Sequence, residues 1–302
     1  MSRITLRAAL ASERPLVTPL AHDALSARLI ARAGFRAFAI GGSAMLAARY
    51  GLPDIGLVGL ADMADGIRDI AAATALPFLA DGDDGYGDVK SVVRTVALYE
   101  RLGAGGILIE DQQREHKQQR AERARGVAEC ALIEQKLRAA MAARGTRDTL
   151  IIGRTDAFGV FGMDEALRRA ARFVELGVDA VFVAGLKSMA DYERVGRELR
   201  GALLSASIFE TPGMPWPSPK ELGELGFGHV SYPASLIFRI TQAMGAALAQ
   251  LRAHADGATP MAPDPRAGEA HQQLDVALEL AQWQRIEHDF ALAGAAVTQR
   301  TP

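Results

Sequence analysis

The sequence predicts an α/β fold, a (β/α)8 barrel with a C-terminal helical extension, and three observations support this prediction. Short apolar runs alternate with longer segments whose apolar residues recur at helical spacing. There are eight such runs, the number of strands that a closed parallel barrel needs. Gly34, Gly103 and Gly177 each follow a helical segment and precede a strand, where C-terminal helix caps are expected. A doubly wound open sheet is the alternative, but no Gly-x-Gly-x-x-Gly motif supports it.

The predicted strands are short, and the segments between them, such as Met163 to Leu176, show the 3.6-residue apolar stripe of helices that cover a barrel. The strands are expected over Leu16 to Leu20, Ala37 to Ile40, Pro77 to Ala80, Gly106 to Glu110, Leu150 to Arg154, Ala180 to Val183, Leu203 to Ile208 and His229 to Ser231.

The chain continues well beyond the eighth strand. A helix is predicted from about Pro233 to His254, followed by a link rich in proline and glycine and a last helical stretch to about Leu292. We therefore expect a catalytic barrel domain over residues 1–255 and a linker with a helical oligomerisation tail over residues 256–302. An apolar stripe in this tail predicts an oligomer contact and comprises Leu274, Ala277, Leu278 and Ala281.

Composition narrows the class of protein. The chain has 302 residues, 49% of them hydrophobic, and a net charge of −2, so nothing points to nucleic acid or a membrane as a partner. The one cysteine, Cys130, excludes a disulfide framework and predicts a reducing, cytoplasmic setting. The N-terminus lacks the apolar core of a signal peptide, and no run of about 18 apolar residues predicts a membrane span.

Acidic side chains follow two successive predicted strands. Asp81 and Asp83 come directly after the third strand in a glycine-rich turn, and Glu110 ends the fourth. Because the carboxyl ends of barrel strands meet at one face, these acids are expected to converge on a hard cation such as Mg²⁺. An Asp-Gly cluster alone is typical of a turn. The repetition at Glu110 and a third polar strand end, Arg154 to Asp156, favour a metal site.

Five short motifs resemble, in order and spacing, those of the isocitrate lyase and phosphoenolpyruvate mutase superfamily over roughly Leu6 to Gly257. They are Gly51-Leu52-Pro53-Asp54, Asp81-Gly82-Asp83-Asp84-Gly85-Tyr86-Gly87, Ile109-Glu110-Asp111-Gln112, Arg154-Thr155-Asp156-Ala157 and Tyr232-Pro233. The resemblance implies a (β/α)8 TIM barrel whose eighth helix is swapped between subunits, typically in a homotetramer.

The resemblance also implies a ligand set. The substrate would be a small di- or tricarboxylate whose oxo acid or enolate binds through Mg²⁺, with Mn²⁺ as the alternative. Asp81, Asp83 and Glu110 would be the metal residues, Asp83 most directly and the others partly through water. The metal would stabilise the enolate as a Lewis acid.

Further residues take substrate-binding and catalytic roles by the same resemblance. The backbone amides of Gly42 and Ser43 would face a substrate carboxylate or oxyanion. Arg154 would hold a carboxylate with its fork of donors, the alternative being a structural ion pair. Asp54 would belong to a gating loop. Tyr86 or a bound water would protonate the enolate, and Ser207 stands where an asparagine is expected.

Departures from the family pattern bear on the reaction. Lyases that cleave isocitrate or 2-methylisocitrate carry a lid motif, Lys-Lys/Arg-Cys-Gly-His, whose cysteine donates a proton, whereas this chain reads His116-Lys117-Gln118-Gln119-Arg120. Those lyases also have a glutamate after the sixth strand, where this chain has Val183-Ala184-Gly185. Retro-aldol cleavage releases a carbanion that must be protonated, and general acid catalysis contributes about 10²–10⁴-fold. Decarboxylation releases CO₂, which needs no acid.

The sequence therefore favours a Mg²⁺-dependent carbon–carbon lyase of the decarboxylase type, acting on oxaloacetate or a related 2-oxo dicarboxylate. Gly41-Gly42-Ser43 looks like the oxaloacetate decarboxylases of the superfamily, whereas Tyr232-Pro233 looks like the lyase branch. One alternative is 2-methylisocitrate or 2,3-dimethylmalate cleavage with His116 or Lys117 as substitute acid. Others are a phosphonate (C–P) enzyme and a non-catalytic carboxylate binder. The polar loop from Gln112 to Gly126 is either a solvated surface or a mobile lid.

Overall fold

Eight parallel strands joined by helices form the core of the computed structural model, which describes residues 4–117, 126–257 and 262–298. The strands are β1 (Leu16–Pro19), β2 (Phe38–Ile40), β3 (Phe78–Asp81), β4 (Gly106–Glu110), β5 (Leu150–Thr155), β6 (Ala180–Val183), β7 (Leu204–Ser207) and β8 (Phe227–Tyr232). Every predicted strand is present, with its ends within two residues of the expected ones.

Helices connect and follow the strands. They are α1 (Leu6–Ser12), α2 (Ala24–Arg32), α3 (Gly42–Tyr50), α4 (Leu60–Ala72), α5 (Val89–Arg101), α6 (Cys130–Ala143), α7 (Phe158–Phe161), α8 (Met163–Leu176), α9 (Met189–Glu198), α10 (Pro219–Glu224), α11 (Ser235–Ala255), α12 (Ala267–Ala277) and α13 (Leu280–Thr298). A 3₁₀ turn covers Arg114–His116.

The sheet closes almost completely on itself. Strands pair in sequence order from β2 to β8, and β8 pairs with β1. The remaining gap between β1 and β2 is bridged at Leu20 and Ala39, and the Ala21 N–H donates to the Ala39 carbonyl at 2.9 Å. The predicted (β/α)8 TIM barrel with C-terminal helices is therefore confirmed. Gly34, Gly103 and Gly177 have φ of +87°, +90° and +85°, the left-handed conformation expected after a helix.

Helix α1 seals the barrel interior at the end where the strands begin. Leu6 and Leu10 of α1 pack with buried side chains that point into the barrel, among them Leu79 and Ile152. A Cβ atom at Gly106 would lie 2.8 Å from Leu6 Cδ2, so the lack of a side chain at this position helps α1 to pack closely. Barrel enzymes have their active sites at the opposite end, where the strands finish.

Residues after the barrel form helices of their own. The chain divides into two compact units, residues 1–240 and 241–302, and this division falls inside α11, whereas the predicted boundary follows that helix. The expectation of one last helical stretch ending near Leu292 was wrong. Two helices are present, because Glu279 has φ of +58° and interrupts the helical hydrogen bonds, and the second helix runs to Thr298. Among the described residues, no helix is long and apolar enough to cross a membrane.

A buried histidine on β8 contacts side chains from both neighbouring strands, β1 and β7. His229 of β8 contacts Thr18 Oγ1 through Nε2 at 2.8 Å and Ser205 Oγ through Nδ1 at 2.7 Å. Burial lowers the pKa of His229 to about 4. The folded chain therefore keeps this imidazole neutral at pH values where an unfolded chain would protonate it.

We predict that His229 makes the fold sensitive to acid. The unfolded histidine binds a proton as pH falls below about 6.5, whereas the folded one does so only near its pKa of about 4. Stability is therefore fully present above about pH 6.5 and is lost progressively down to about pH 4, by up to about 3 kcal/mol. Urea unfolding of His229→Gln should show a flatter decline over this range than the wild type. The exposed His271→Gln is the matched control, and equal slopes for wild type and His229→Gln would contradict the prediction.

Candidate active site

The acids predicted from the sequence lie together at the carboxyl ends of β3 and β4. Asp81 is the last residue of β3, and its Oδ1 accepts a hydrogen bond from the Asp83 N–H at 3.1 Å. The Asp83 carbonyl in turn accepts from the N–H of Glu110, the last residue of β4, at 2.9 Å. Backbone hydrogen bonds thus fix the turn after β3 against the end of β4.

The glycine-rich turn after β3 has no room for larger residues at its start. A Cβ atom at Gly82 would lie 2.8 Å from the Leu108 carbonyl oxygen. Asp83 and Tyr86 have φ of +45° and +60°, which non-glycine residues rarely adopt and which are found where surrounding contacts enforce them. Lys136 of α6 supplies such contacts, since its Nζ donates to the Asp84 carbonyl at 2.8 Å and to Asp84 Oδ2 at 3.1 Å.

Two cations from the loop after β4 contact Asp83. Arg114 Nη1 donates to Asp83 Oδ2 at 3.0 Å, and its guanidinium lies 5.1 Å from the centre of the Tyr86 ring. Lys117 Nζ donates to Asp83 Oδ1 and lies 3.0 Å from Asp54 Oδ1 and 3.9 Å from Glu110 Oε1. A single ammonium therefore contacts carboxylates from three segments of the chain.

Arg154 of β5 is paired with two acids. Its Nη1 lies 2.8 Å from Glu110 Oε2, and its Nε and Nη2 lie 2.8 and 2.9 Å from the two carboxylate oxygens of Asp156. The strand register explains the first contact, because Glu110 and Arg154 are opposite one another in β4 and β5. A guanidinium has five N–H groups, more than these contacts use. The structure places Arg154 in an ion pair, and its role in holding a substrate carboxylate stays a prediction.

Burial and charge divide the acids into two kinds. Burial raises the pKa of Asp81 to about 6, and the nearby Asp83 carboxylate adds to the rise. Burial raises the pKa of Glu110 well above its ordinary value, with Arg154 and Lys117 opposing the effect. Burial acts on Asp83 in the same direction, but Lys117 and Arg114 outweigh it and lower the pKa of this carboxyl. Asp83 is therefore held as the carboxylate.

The predicted oxyanion-binding amides lie at the first turn of α3. This helix begins at Gly42, and its N-cap residue, Gly41, makes no side-chain cap. A Cβ atom at Gly42 would lie 2.9 Å from Asp54 Oδ2, which places Asp54 directly against the start of the helix. Because the amino end of a helix attracts anions, the position suits the role predicted for Gly42 and Ser43.

Tyr86 and Ser207 are engaged with other hydroxyl groups. Tyr86 Oη lies 3.0 Å from the Oη of Tyr99, which is fully buried in α5. Burial, the neighbouring phenol and the nearby acids raise the pKa of Tyr86 well above its ordinary value. Proton donation by Tyr86 or by a bound water stays a prediction. Ser207, at the end of β7, has its Oγ 2.8 Å from Ser231 Oγ of β8.

Asp111 and Arg169 form a further buried ion pair next to the ends of β4 and β5. Asp111 Oδ2 accepts hydrogen bonds from Thr155 Oγ1 at 2.7 Å and from Arg169 of α8 at 3.0 Å, and Asp111 Oδ1 accepts from the Asp156 N–H at 2.8 Å. These contacts join the ends of β4 and β5. The sequence analysis placed Asp111 in a family motif but did not identify Arg169 as its partner.

The predicted lid is described only at its base. Gln112 pairs with Val127 as an isolated antiparallel bridge, and the Gln113 N–H donates to the Gly126 carbonyl at 2.8 Å. Gln118, Gln119 and Arg120 lie outside the described residues. Lys117 was expected to be a surface or lid residue or a substitute acid, and its contact with Asp83, like that of Arg114, was not predicted.

Within residues 4–117, 126–257 and 262–298, no three acidic, histidine or cysteine side chains are grouped as metal ligands are. Asp54, Asp83 and Glu110 are instead spaced around the Lys117 ammonium. The assignment of Asp81, Asp83 and Glu110 to a metal ion stays a prediction.

Buried acids and cationic side chains lie together where the strands of a (β/α)8 barrel end, the face at which barrel enzymes have their active sites. The chain belongs to the phosphoenolpyruvate phosphomutase family, whose model matches residues 6–252. The resemblance read from the five sequence motifs is confirmed by this match.

Named relatives cover most of the chain. The 2,3-dimethylmalate lyase of Eubacterium barkeri is 33% identical over 79% of this chain and 82% of its own length. A probable 2-methylisocitrate lyase of Corynebacterium glutamicum is 34% identical over 83% of this chain and 82% of its own length. An oxaloacetate decarboxylase of a Bradyrhizobium species is 32% identical over 75% of each chain. The prediction of a carbon–carbon lyase of this superfamily is confirmed.

Solved structures share the whole fold. Oxaloacetate acetylhydrolase in complex with 3,3-difluorooxaloacetate superposes with a TM-score of 0.83 and 26% identity, covering 95% of this chain and 96% of that one. Phosphonopyruvate hydrolase in complex with oxalate and Mg²⁺ superposes with a TM-score of 0.78 and 26% identity, covering 94% of this chain and 96% of that one.

Proposed function

We propose that this chain is a divalent-metal-dependent carboxy-lyase that acts on oxaloacetate or a related 2-oxo dicarboxylate and produces a pyruvate-type enolate. The observation that carries the proposal is the buried set of acids at the ends of β3 and β4, which has no cysteine beside it to act as proton donor. The single cysteine, Cys130, begins α6, where its Sγ contacts Glu134 Oε1 at 3.7 Å. An oxaloacetate decarboxylase is among the named relatives.

The residues present fit a divalent cation by donor type and by charge. Asp54, Asp81, Asp83, Glu110 and Asp156 supply carboxylate oxygens, the donors that Mg²⁺ and Mn²⁺ prefer. Against these five carboxylates stand three cationic side chains, Arg114, Lys117 and Arg154, so the fully ionised set has an excess of two negative charges. Asp83 would hold the cation directly, with Asp81 and Glu110 acting partly through water.

A divalent cation supplies Lewis-acid polarisation of the 2-oxo group of a substrate. The remaining steps belong to side chains of this chain. The free N–H groups of Arg154 would hold the carboxylate next to the oxo group, and the amides of Gly42 and Ser43 would orient that end of the substrate. The bond to the distal carboxylate then breaks, CO₂ leaves, and the electron pair forms the enolate. A bound water or the Tyr86 hydroxyl, which lies 3.0 Å from Tyr99 Oη, would return the proton to carbon.

Cleavage of a 2-methylisocitrate-like or 2,3-dimethylmalate-like substrate is the second candidate. One observation favours it: Lys117 places an ammonium group among the acids of the site, where a family lyase would present its lid acid. The relatives from Eubacterium barkeri and Corynebacterium glutamicum carry those lyase names. The position after β6 argues against it, because Ala184 and Gly185 offer no acid there.

We propose also that the enzyme is a homotetramer built from helix-swapped dimers. Met244, Leu248 and Leu251 of α11 are 59%, 61% and 52% exposed and follow one another at helical spacing. Such a stripe is typical of a contact surface. Light scattering should give about four times the 32.2 kDa mass of one chain, and Leu248→Glu should lower that mass. A monomeric wild type would contradict the assembly.

Asp83→Asn should abolish metal-dependent turnover and leave the fold intact. Asparagine is chosen because it tolerates the positive φ of this position, whereas alanine would add strain. We expect a loss of at least about 100-fold in rate, since the Lewis-acid contribution amounts to several kcal/mol. The measurement is an NMR time course with Mg²⁺ and oxaloacetate, 2-methylisocitrate or 2,3-dimethylmalate. EDTA and the exposed Asp65→Asn serve as controls, because oxaloacetate also decays unaided.

Pyruvate from oxaloacetate above the EDTA control would support the decarboxylase. Succinate and pyruvate from 2-methylisocitrate, or propionate and pyruvate from 2,3-dimethylmalate, would establish the second candidate instead. Full activity of Asp83→Asn would refute the metal assignment.

A further inference from the structure

Lys117 occupies the middle of the acid set. Its Nζ donates to Asp83 Oδ1 and lies 3.0 Å from Asp54 Oδ1 and 3.9 Å from Glu110 Oε1. The Lys117 side chain is only 11% exposed, and those of Asp54, Asp83 and Glu110 are 14%, 10% and 2% exposed. Because little water screens these charges, each contact is stronger than it would be on the surface.

The ammonium satisfies the acids in the way that a bound cation would. It brings one positive charge into contact with carboxylates from the loop after α3, the turn after β3 and the end of β4. Among the described residues, the contacts of the second cation on Asp83, Arg114, are with the other oxygen of that carboxylate, the Gly56 carbonyl at 3.4 Å and the Tyr86 ring. Lys117 is thus the cation that links the three acids.

A divalent cation held directly by Asp83 would need the same oxygen atoms. An ammonium and a metal ion within about 4 Å of each other in a poorly screened site repel one another strongly. The two therefore exclude one another at Asp83, and whichever leaves must be replaced if the acids are to stay ionised.

We propose that Lys117 is a built-in competitor of the divalent cation, whose ammonium balances the acid set in the metal-free enzyme and withdraws from Asp83 when the cation binds. This inference rests on the metal dependence proposed above. It means that Lys117, and not the acids alone, sets the affinity for the metal.

Replacement of Lys117 should tighten metal binding. Titration calorimetry of the full-length chain with Mn²⁺, without substrate, should give an affinity at least about tenfold higher for Lys117→Gln than for the wild type, because the competing charge is gone. Lys117→Met is a second neutral variant should the first not fold. Lys90→Gln is the matched control, since it removes the same charge from a side chain that is 90% exposed, and its affinity should stay within about twofold of the wild type.

Thermal unfolding gives a second test that does not depend on turnover. Without Mn²⁺, Lys117→Gln should melt below the wild type, because its buried acids lose their counter-charge. At saturating Mn²⁺ the gap should close, because the cation then balances the acids in both proteins and Lys117 of the wild type no longer contacts them. A gap that persists would show that Lys117 and the metal bind together, and it would overturn the inference.

The two tests also separate this inference from the proposed function. Equal Mn²⁺ affinities for wild type and Lys117→Gln, with both bound, would overturn the competition and leave the metal enzyme intact. Failure of both proteins to bind Mn²⁺ would overturn the metal assignment and the competition together.

Discussion

Repulsion among carboxylates buried side by side at the ends of β3 and β4 is the constraint on which the rest of the site depends. Hydrogen bonds from the Asp83 N–H to Asp81 Oδ1 and from the Glu110 N–H to the Asp83 carbonyl hold these three acids close together in space. Each must be protonated or balanced by a cation. The protein does both: burial raises the pKa values of Asp81 and Glu110, while Arg114 and Lys117 keep Asp83 ionised.

The cations that balance the acids come from neighbouring segments of the barrel. Arg154 lies opposite Glu110 in the paired strands, and Arg114 and Lys117 return from the loop that follows Glu110. The same groups are suited to hold an anionic substrate. On the proposed function, a cation that took over Asp83 would therefore free donors for an anionic substrate, and this would couple metal binding to substrate binding through charge.

Most of the fold could be predicted from the sequence, because buried parallel strands appear as short apolar runs and helices as amphipathic stripes. The break before α13 could not, since Glu279 is not a residue type that marks a left-handed turn. The acids of the site were predictable because they end strands. Their partners were not: Arg114 and Lys117 lie 31 and 34 residues from Asp83, in a polar loop whose composition fits a solvated surface equally well. The partner of the Tyr86 hydroxyl likewise depends on the path of the turn after β3.

The acids at the ends of β3 and β4 are proposed to form a cation site. Anomalous diffraction at the manganese absorption edge, from crystals grown with Mn²⁺, would locate the ion. We expect one strong peak per chain in contact with an Asp83 carboxylate oxygen and within reach, directly or through water, of Asp81 and Glu110. The absence of a peak there, or a peak only elsewhere on the chain, would contradict it.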